Sequence, residues 1–309
     1  MNLFRQSTVP KVMVIAISFN LIFVSLYALD RSIIFRENAT DLVDRPDTNS
    51  NINWTTGFVS ASASEVLPEI IFDINHPDFG KPNSVKSISE ARDYAHEKAY
   101  EKAESNLNHL LKNLLLNSSF TIGEKLLLNR KFREKFAGVQ EWYQIKYRKT
   151  GEGIVSVTLA LPFRGERGLY AILSENSVRQ QIEPRDLEKE IEDQVSGLVI
   201  DVRGKDIFKP SLEPSIFTEQ GKKIYGPDMV NRSCRVNRGV VNYFTNTEKG
   251  STTKIVGARP YFLLVTGVSG KNKTDLFIAD EDASIILSSP SALNALYNCA
   301  VAFIYDYNK

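Results

Sequence analysis

Asp201 and Arg203 close the stretch GLVIDVRG (residues 197–204), where an apolar run ends in an acid and a base between Gly197 and Gly204. A carboxylate at the end of a buried strand is a frequent seat of acid–base chemistry, and a guanidinium beside it holds it ionised. Side chains two apart on a strand project to the same face, so the two can instead pair with each other. Chemistry at Asp201 needs a further base, nucleophile or metal. The chain has three histidines: His76 precedes a proline, and His96 and His109 fall within one helical pattern. None is placed for a Ser–His–Asp arrangement. There is no G-x-S-x-G, H-E-x-x-H or G-x-G-x-x-G. GVSGK (267–271) has neither the glycine spacing nor the Ser/Thr of a phosphate loop and reads as a glycine turn. DEDAS (280–284) lacks the twelve-residue ligand spread of an EF-hand loop. It reads as a helix start, with Asp280 as cap and Glu281 and Asp282 favoured by the dipole. Cys234 and Cys299, with three scattered histidines, do not supply the usual zinc spacing. The expectation is no catalytic residue, no cofactor and no metal.

The composition excludes other classes. Among 309 residues, 38 are Lys or Arg and 37 are Asp or Glu, giving a formal net charge of +1. That balance creates no broad attraction for nucleic acid, and the one basic cluster, NRKFREKF (129–136), reads as a solvated helix face. The acids remain numerous enough that an exported hydrolase with dispersed carboxylates stays open as an alternative function, as does a carrier of lipid or another small ligand.

Residues 12–29, VMVIAISFNLIFVSLYAL, contain no charge and follow Arg5 and Lys11. Eighteen residues at helical rise span about 27 Å, near the thickness of a bilayer core. Basic residues before the run predict a cytoplasmic N-terminus and export of the remainder of the chain. Residues 1–29 are therefore a signal anchor or a signal peptide; the exit SLYALDRS lacks a clean small-x-small cleavage site, which leans toward an anchor. In an oxidising compartment a Cys234–Cys299 disulfide competes with two buried thiols.

The elements that must position these groups fall into an α+β arrangement: two small modules with helices on mixed or antiparallel sheets. Residues 30–63 are rich in Asn, Asp, Ser and Thr and read as a polar linker. A first module over 64–165 starts with a strand at 69–74. Ala91, Ala95, Ala99 and Ala103 then recur every four residues and lead into Leu107, Leu110, Leu111 and Leu114, one apolar stripe on a long helix capped by Ser87 or Ser89. A second helix at 123–136 and a hairpin turning at 151–153 complete it. A connector over 166–194 leads to a second module, 195–309, made of short strands and helices.

ARDYAHEKA, with Ala91, Arg92, Ala95 and Ala99, resembles the alanine-rich helix of flagellar assembly protein T and of the twenty-kilodalton Lpp lipoproteins. The second half is similar to a stretch of envelope proteins of motile bacteria that reads T-G-L-V-I-D-A-R-G, then P-x-L-x-P, then I/V-Y-G. This chain keeps Gly197, Asp201, Arg203, Gly204, Pro210, Leu212, Pro214, Gly221, Tyr225 and Gly226; it differs at Val202 and has no lipobox cysteine after its leader. The resemblance implies a non-enzymatic envelope protein with a binding, structural or assembly role near the motility or secretion apparatus. It further implies envelope proteins as partners, membrane contact through residues 12–29 where the leader is retained, no nucleic acid, and a periplasmic location. On this reading Asp201 and its neighbours are structural.

Overall fold

The structure, a computed structural model, describes residues 41–81, 84–151, 153–174, 195–205, 207–245 and 249–306. The expected signal anchor or signal peptide (1–29) and residues 175–194 of the expected connector lie outside them. Among the described residues no helix is long and apolar enough to cross a membrane.

The alanine stripe forms as its spacing predicts. α1 (Ile88–Asn113) is capped by Ser87, whose hydroxyl accepts from Glu90 N, and it buries the four alanines together with Leu107, Leu110 and Leu111. Its small residues let the helix lie close on a five-stranded antiparallel sheet. That sheet comprises β1 (Val43–Asp47), β2 (Ser50–Asn53), β3 (Phe58–Val66), β4 (Gln144–Gly151) and β5 (Ile154–Pro162), in the order β1-β2-β3-β5-β4. The hairpin falls where the glycines place it.

Three expectations for this half are corrected. The polar linker is in large part sheet: β1, β2 and most of β3 lie within residues 30–63. Ile52, Trp54, Phe58, Val59 and Ala61 are buried, and the polar residues between them serve the turns rather than solvent. Asn53 donates to Asp41 and accepts from Thr56 N, Leu42 N donates to Thr55 Oγ1, and the Trp54 indole donates to Asp44. The strand expected at 69–74 reduces to a single bridge between Ile70 and Val85. The helix expected over 123–136 is two, α2 (Ile122–Leu128) and α3 (Arg130–Phe136). Asn129 ends the first and caps the second through Phe132 N.

After β5 comes α4 (Leu169–Leu173). The remaining strands, β6 (Gly197–Asp201), β7 (Ile216–Thr218), β8 (Lys223–Tyr225), β9 (Asn242–Phe244), β10 (Pro260–Ser269), β11 (Asp275–Ile278) and β12 (Val301–Ile304), make a mixed sheet ordered β8-β7-β11-β10-β6-β12-β9. β6 lies between β10 and β12, parallel to both, and β9 runs parallel to β12. A parallel strand covered on both faces must be apolar throughout; Leu198, Val199 and Ile200 are all buried. The helices of this half are α5 (Arg232–Arg238), α6 (Lys249–Val256), α7 (Asp280–Ser288) and α8 (Pro290–Tyr297); α6 packs on β6 and β12, α8 on β6, and α7 against α8. Asp280 is the first residue of α7, not its cap; that place belongs to Ala279.

The two modules do not have separate interiors. One contiguous core runs from Trp54, Val59 and the α1 leucines to Phe208, Tyr243 and Phe303, and residues 40–309 form one compact unit.

Candidate functional site

Ligands of open parallel sheets bind beyond the carboxyl ends of the strands, and the end of β6 carries Asp201 and Arg203. Their geometry answers the catalytic reading. Arg203 Nε donates to Asp201 Oδ1 at 2.9 Å and Nη2 to Oδ2 at 2.5 Å, while Arg203 N donates to Oδ1 at 3.0 Å. Both carboxylate oxygens are therefore engaged within two residues. The Arg203 hydrogen bonds hold the Asp201 carboxyl below the usual carboxylate range, with partial burial opposing them. A base would need the opposite shift. The next residue, Gly204, takes φ +73° and donates its N–H to Asp306 Oδ2 at 2.8 Å. A left-handed backbone there suits glycine and turns the chain away from the sheet. The arrangement can fix a turn; it presents no nucleophile.

That turn launches the loop from β6 to β7, and the loop is a seam. Leu212 N donates to Leu115 O at 3.1 Å and Glu213 N to Leu116 O at 2.7 Å, so main chain from the mixed-sheet half bonds the strap after α1. Three buried tyrosines converge on the same loop. Tyr305 donates to Phe208 O, Tyr170 to Leu212 O, and Tyr243 donates to Ser211 O while accepting from Ser211 N. Burial pushes the Tyr170 and Tyr243 phenols well up, so they remain neutral donors. Pro210 and Pro214 are buried on either side. Gly221, at φ +83°, forms the β7–β8 turn, Tyr225 donates to Val240 O, and Gly226 leaves no room for a Cβ beside Lys223 and Ser215. The signature residues thus lie in the Asp201 turn, in the seam or in close backbone packing. Gly197 belongs with them, since a Cβ there would stand 2.5 Å from Val256 O.

Sequence reasoning did not find the most buried charges. Glu213 and Arg235 form an ion pair with side chains 4% and 5% exposed. The available signal was an acid held between prolines in PSLEP (210–214) and an arginine beside Val236 on α5. Nor did it find Arg164, whose Nε is buried without a hydrogen-bond partner and whose guanidinium burial pushes down from its ordinary range. The glycine turn GVSGK joins β10 to β11 and belongs to the same seam. Asn272 N donates to Ser118 O, and Lys271 pairs with Glu124 at 2.7 Å.

Cys234 and Cys299 are bridged, with Cα atoms 5.9 Å apart. Asn231 prepares the site. Its Oδ1 caps α5 through Cys234 N, and its Nδ2 donates to Tyr297 O and Asn298 Oδ1 at the end of α8. Cys299 sits at φ +56° immediately past the α8 cap Asn298. Cys299 N bonds Leu296 O and Ala300 N bonds Ala295 O, the paired bonds of a helix end that ordinarily carries glycine.

The histidines are not brought together with these groups. His96 lies in α1, its imidazole lowered chiefly by desolvation, and His109 meets Asn113 on the same helix. Among the described residues, no group of three or more His, Cys, Asp and Glu could hold a metal ion.

A family model described as Treponema pallidum Tp0624, second domain, matches residues 197–307. The matched stretch starts at the first residue of β6 and ends just beyond β12, so it takes in the whole mixed sheet and about a third of the chain. No match to a curated protein was found.

Proposed function

We propose that this chain is a non-enzymatic protein of the bacterial cell envelope that binds other envelope proteins in a structural or assembly role. The observation that carries the reading is the Cys234–Cys299 bridge in a chain that opens with a basic stretch and a charge-free run at residues 12–29. A disulfide of this kind persists in oxidising compartments, and the leader supplies a route to one. The mutual engagement of Asp201 and Arg203 at the strand ends supports binding over catalysis. With the leader retained, residues 12–29 hold the protein in the inner membrane with residues 30–309 on the periplasmic side. The resemblance of the α1 pattern to flagellar assembly protein T directs the search for partners to the motility and secretion apparatus.

The test is expression of the full chain in a bacterium, followed by protease treatment of spheroplasts and thiol alkylation with and without reductant. Degradation without lysis, with both thiols protected until reduction, is the expected result. A protected cytoplasmic protein with two alkylatable thiols would refute the location. Cross-linking in intact cells then identifies partners; capture of cytoplasmic proteins alone would refute the assembly role.

A further inference from the structure

The opposite edge of the mixed sheet, where β6 and β12 begin, holds a cleft of about 860 Å³ between the end of α6 and the outer face of α8. Its lining includes Arg238, Lys254 and Arg259 and no carboxylate. None of the three makes an ion pair among the described residues, whereas Arg203, Lys223, Arg235 and Lys271 each have an acid partner. A chain with a net charge of only +1 has therefore gathered in one concavity three cations that no acid among the described residues opposes. The helix dipole accounts for Arg238 and Lys254, which lie in the last turns of α5 and α6. It does not account for Arg259, which precedes β10.

The cleft is also built. Ser196 Oγ donates to Val256 O at 2.7 Å and accepts from Arg259 N at 2.9 Å, and Ser196 N donates to Arg259 O at 3.0 Å. These bonds fix the backbone from which Arg259 projects. Gly197 and Gly257 permit the close approach of α6 to β6 beside the cleft, since a Cβ on either would meet Val256 or Ser196 within 2.6 Å. Thr253 and Asn294 add neutral polar side chains to the wall. Guanidinium forks match the paired oxygens of phosphate, and a lysine adds a point charge.

We propose that this cleft binds a compact oxyanion carrying at least two negative charges, a phosphomonoester or diphosphate group borne by a small molecule or a lipid headgroup. The proposal is independent of the compartment assigned above.

The test is calorimetric titration of the full-length protein with pyrophosphate, glycerol 3-phosphate and monomeric dihexanoyl phosphatidic acid, repeated with R238Q/R259Q. Expected are saturable binding with a Kd on the order of 0.1 mM at low salt, at least about tenfold weakening in the double variant, and an unchanged melting temperature. Should the variant melt lower, the salt series on the unmodified protein decides: several-fold weakening between about 50 and 200 mM salt is expected, and constant affinity overturns the proposal. Tighter binding of dihexanoyl phosphatidic acid than of glycerol 3-phosphate names the headgroup as the source; equal binding names the free phosphate. No saturable binding up to about 10 mM pyrophosphate overturns the proposal, as does undiminished binding by a stable double variant. Binding of pentaglutamate that pyrophosphate does not displace would overturn it in favour of an acidic peptide.

Discussion

Replacing Cys234 and Cys299 together by serine is expected to remove about 4 kcal/mol of unfolding free energy. The two residues are separated by 65 positions and tie α5 to the end of α8. For a closed loop of that size, the chain-entropy relation gives about −14 cal/mol/K for the unfolded state, or about 4 kcal/mol at room temperature. The native state is braced beside the bridge by the Asn231 bonds to Tyr297 and Asn298, so the helices should stay in place when the sulfurs are lost. Cys299 adds a refinement. At φ +56° a side chain is disfavoured, and glycine there relieves about 1 kcal/mol. C234S/C299G should therefore unfold at higher urea than C234S/C299S, though both stay below the bridged protein. The assay is urea unfolding of the full chain followed by circular dichroism, with thiols counted in the native and denatured states. A loss below about 1 kcal/mol in C234S/C299S would refute the loop-entropy argument. Two titratable thiols in protein prepared under oxidising conditions would refute the bridge itself.

Three further outcomes are expected. Asp201→Asn should cost about 0.5–1 kcal/mol at pH 7, because its pair with Arg203 is partly exposed. Since folding depresses the Asp201 pKa, that contribution is present above the unfolded carboxylate range and is lost as pH falls through the folded value. Unfolding curves of the two proteins should therefore converge in acid, and an undiminished difference there would count against the ion pair as the cause. Glu213→Ala leaves Arg235 as an uncompensated buried charge and should cost about 3–5 kcal/mol, while E213M/R235M should be nearly neutral or stabilising; equal stability of E213A and E213M/R235M, measured by urea unfolding, would contradict this. A fragment of residues 195–309 loses Leu115 and Leu116 as hydrogen-bond partners and half of a shared core. It should bind a hydrophobic dye and melt without a sharp transition, where a cooperative transition would show that the mixed sheet stands alone.

Much of the architecture was legible in local pattern. Four-residue alanine spacing specified α1 and its buried face, and the glycines at 151–153 placed the hairpin. The apolar run GLVI before Asp201 and the two-residue offset of Asp201 and Arg203 anticipated both a covered strand and an internal ion pair. Polar composition misled at 43–63, because Asn53, Thr55 and Asp44 are turn and capping partners for a buried Ile52-Asn-Trp segment. Composition counts polar atoms without telling which of them find partners inside. The seam was illegible for a related reason: nothing in PSLEP shows that its main chain will meet Leu115 and Leu116 about a hundred residues earlier.

The sequence by itself determined the periodic elements, the charge balance, the charge-free run at 12–29 and the pairing of neighbours, since each depends on side chains a few residues apart. Tertiary structure alone decided that two apparent modules share one core, that Glu213 meets Arg235, and that Cys234 reaches Cys299. It also decided that three cations, from α5, α6 and the residue before β10, line one cleft with no acid among the described residues. Those are contacts between distant parts of the chain. Their free energies depend on burial and on partners that local spacing does not encode.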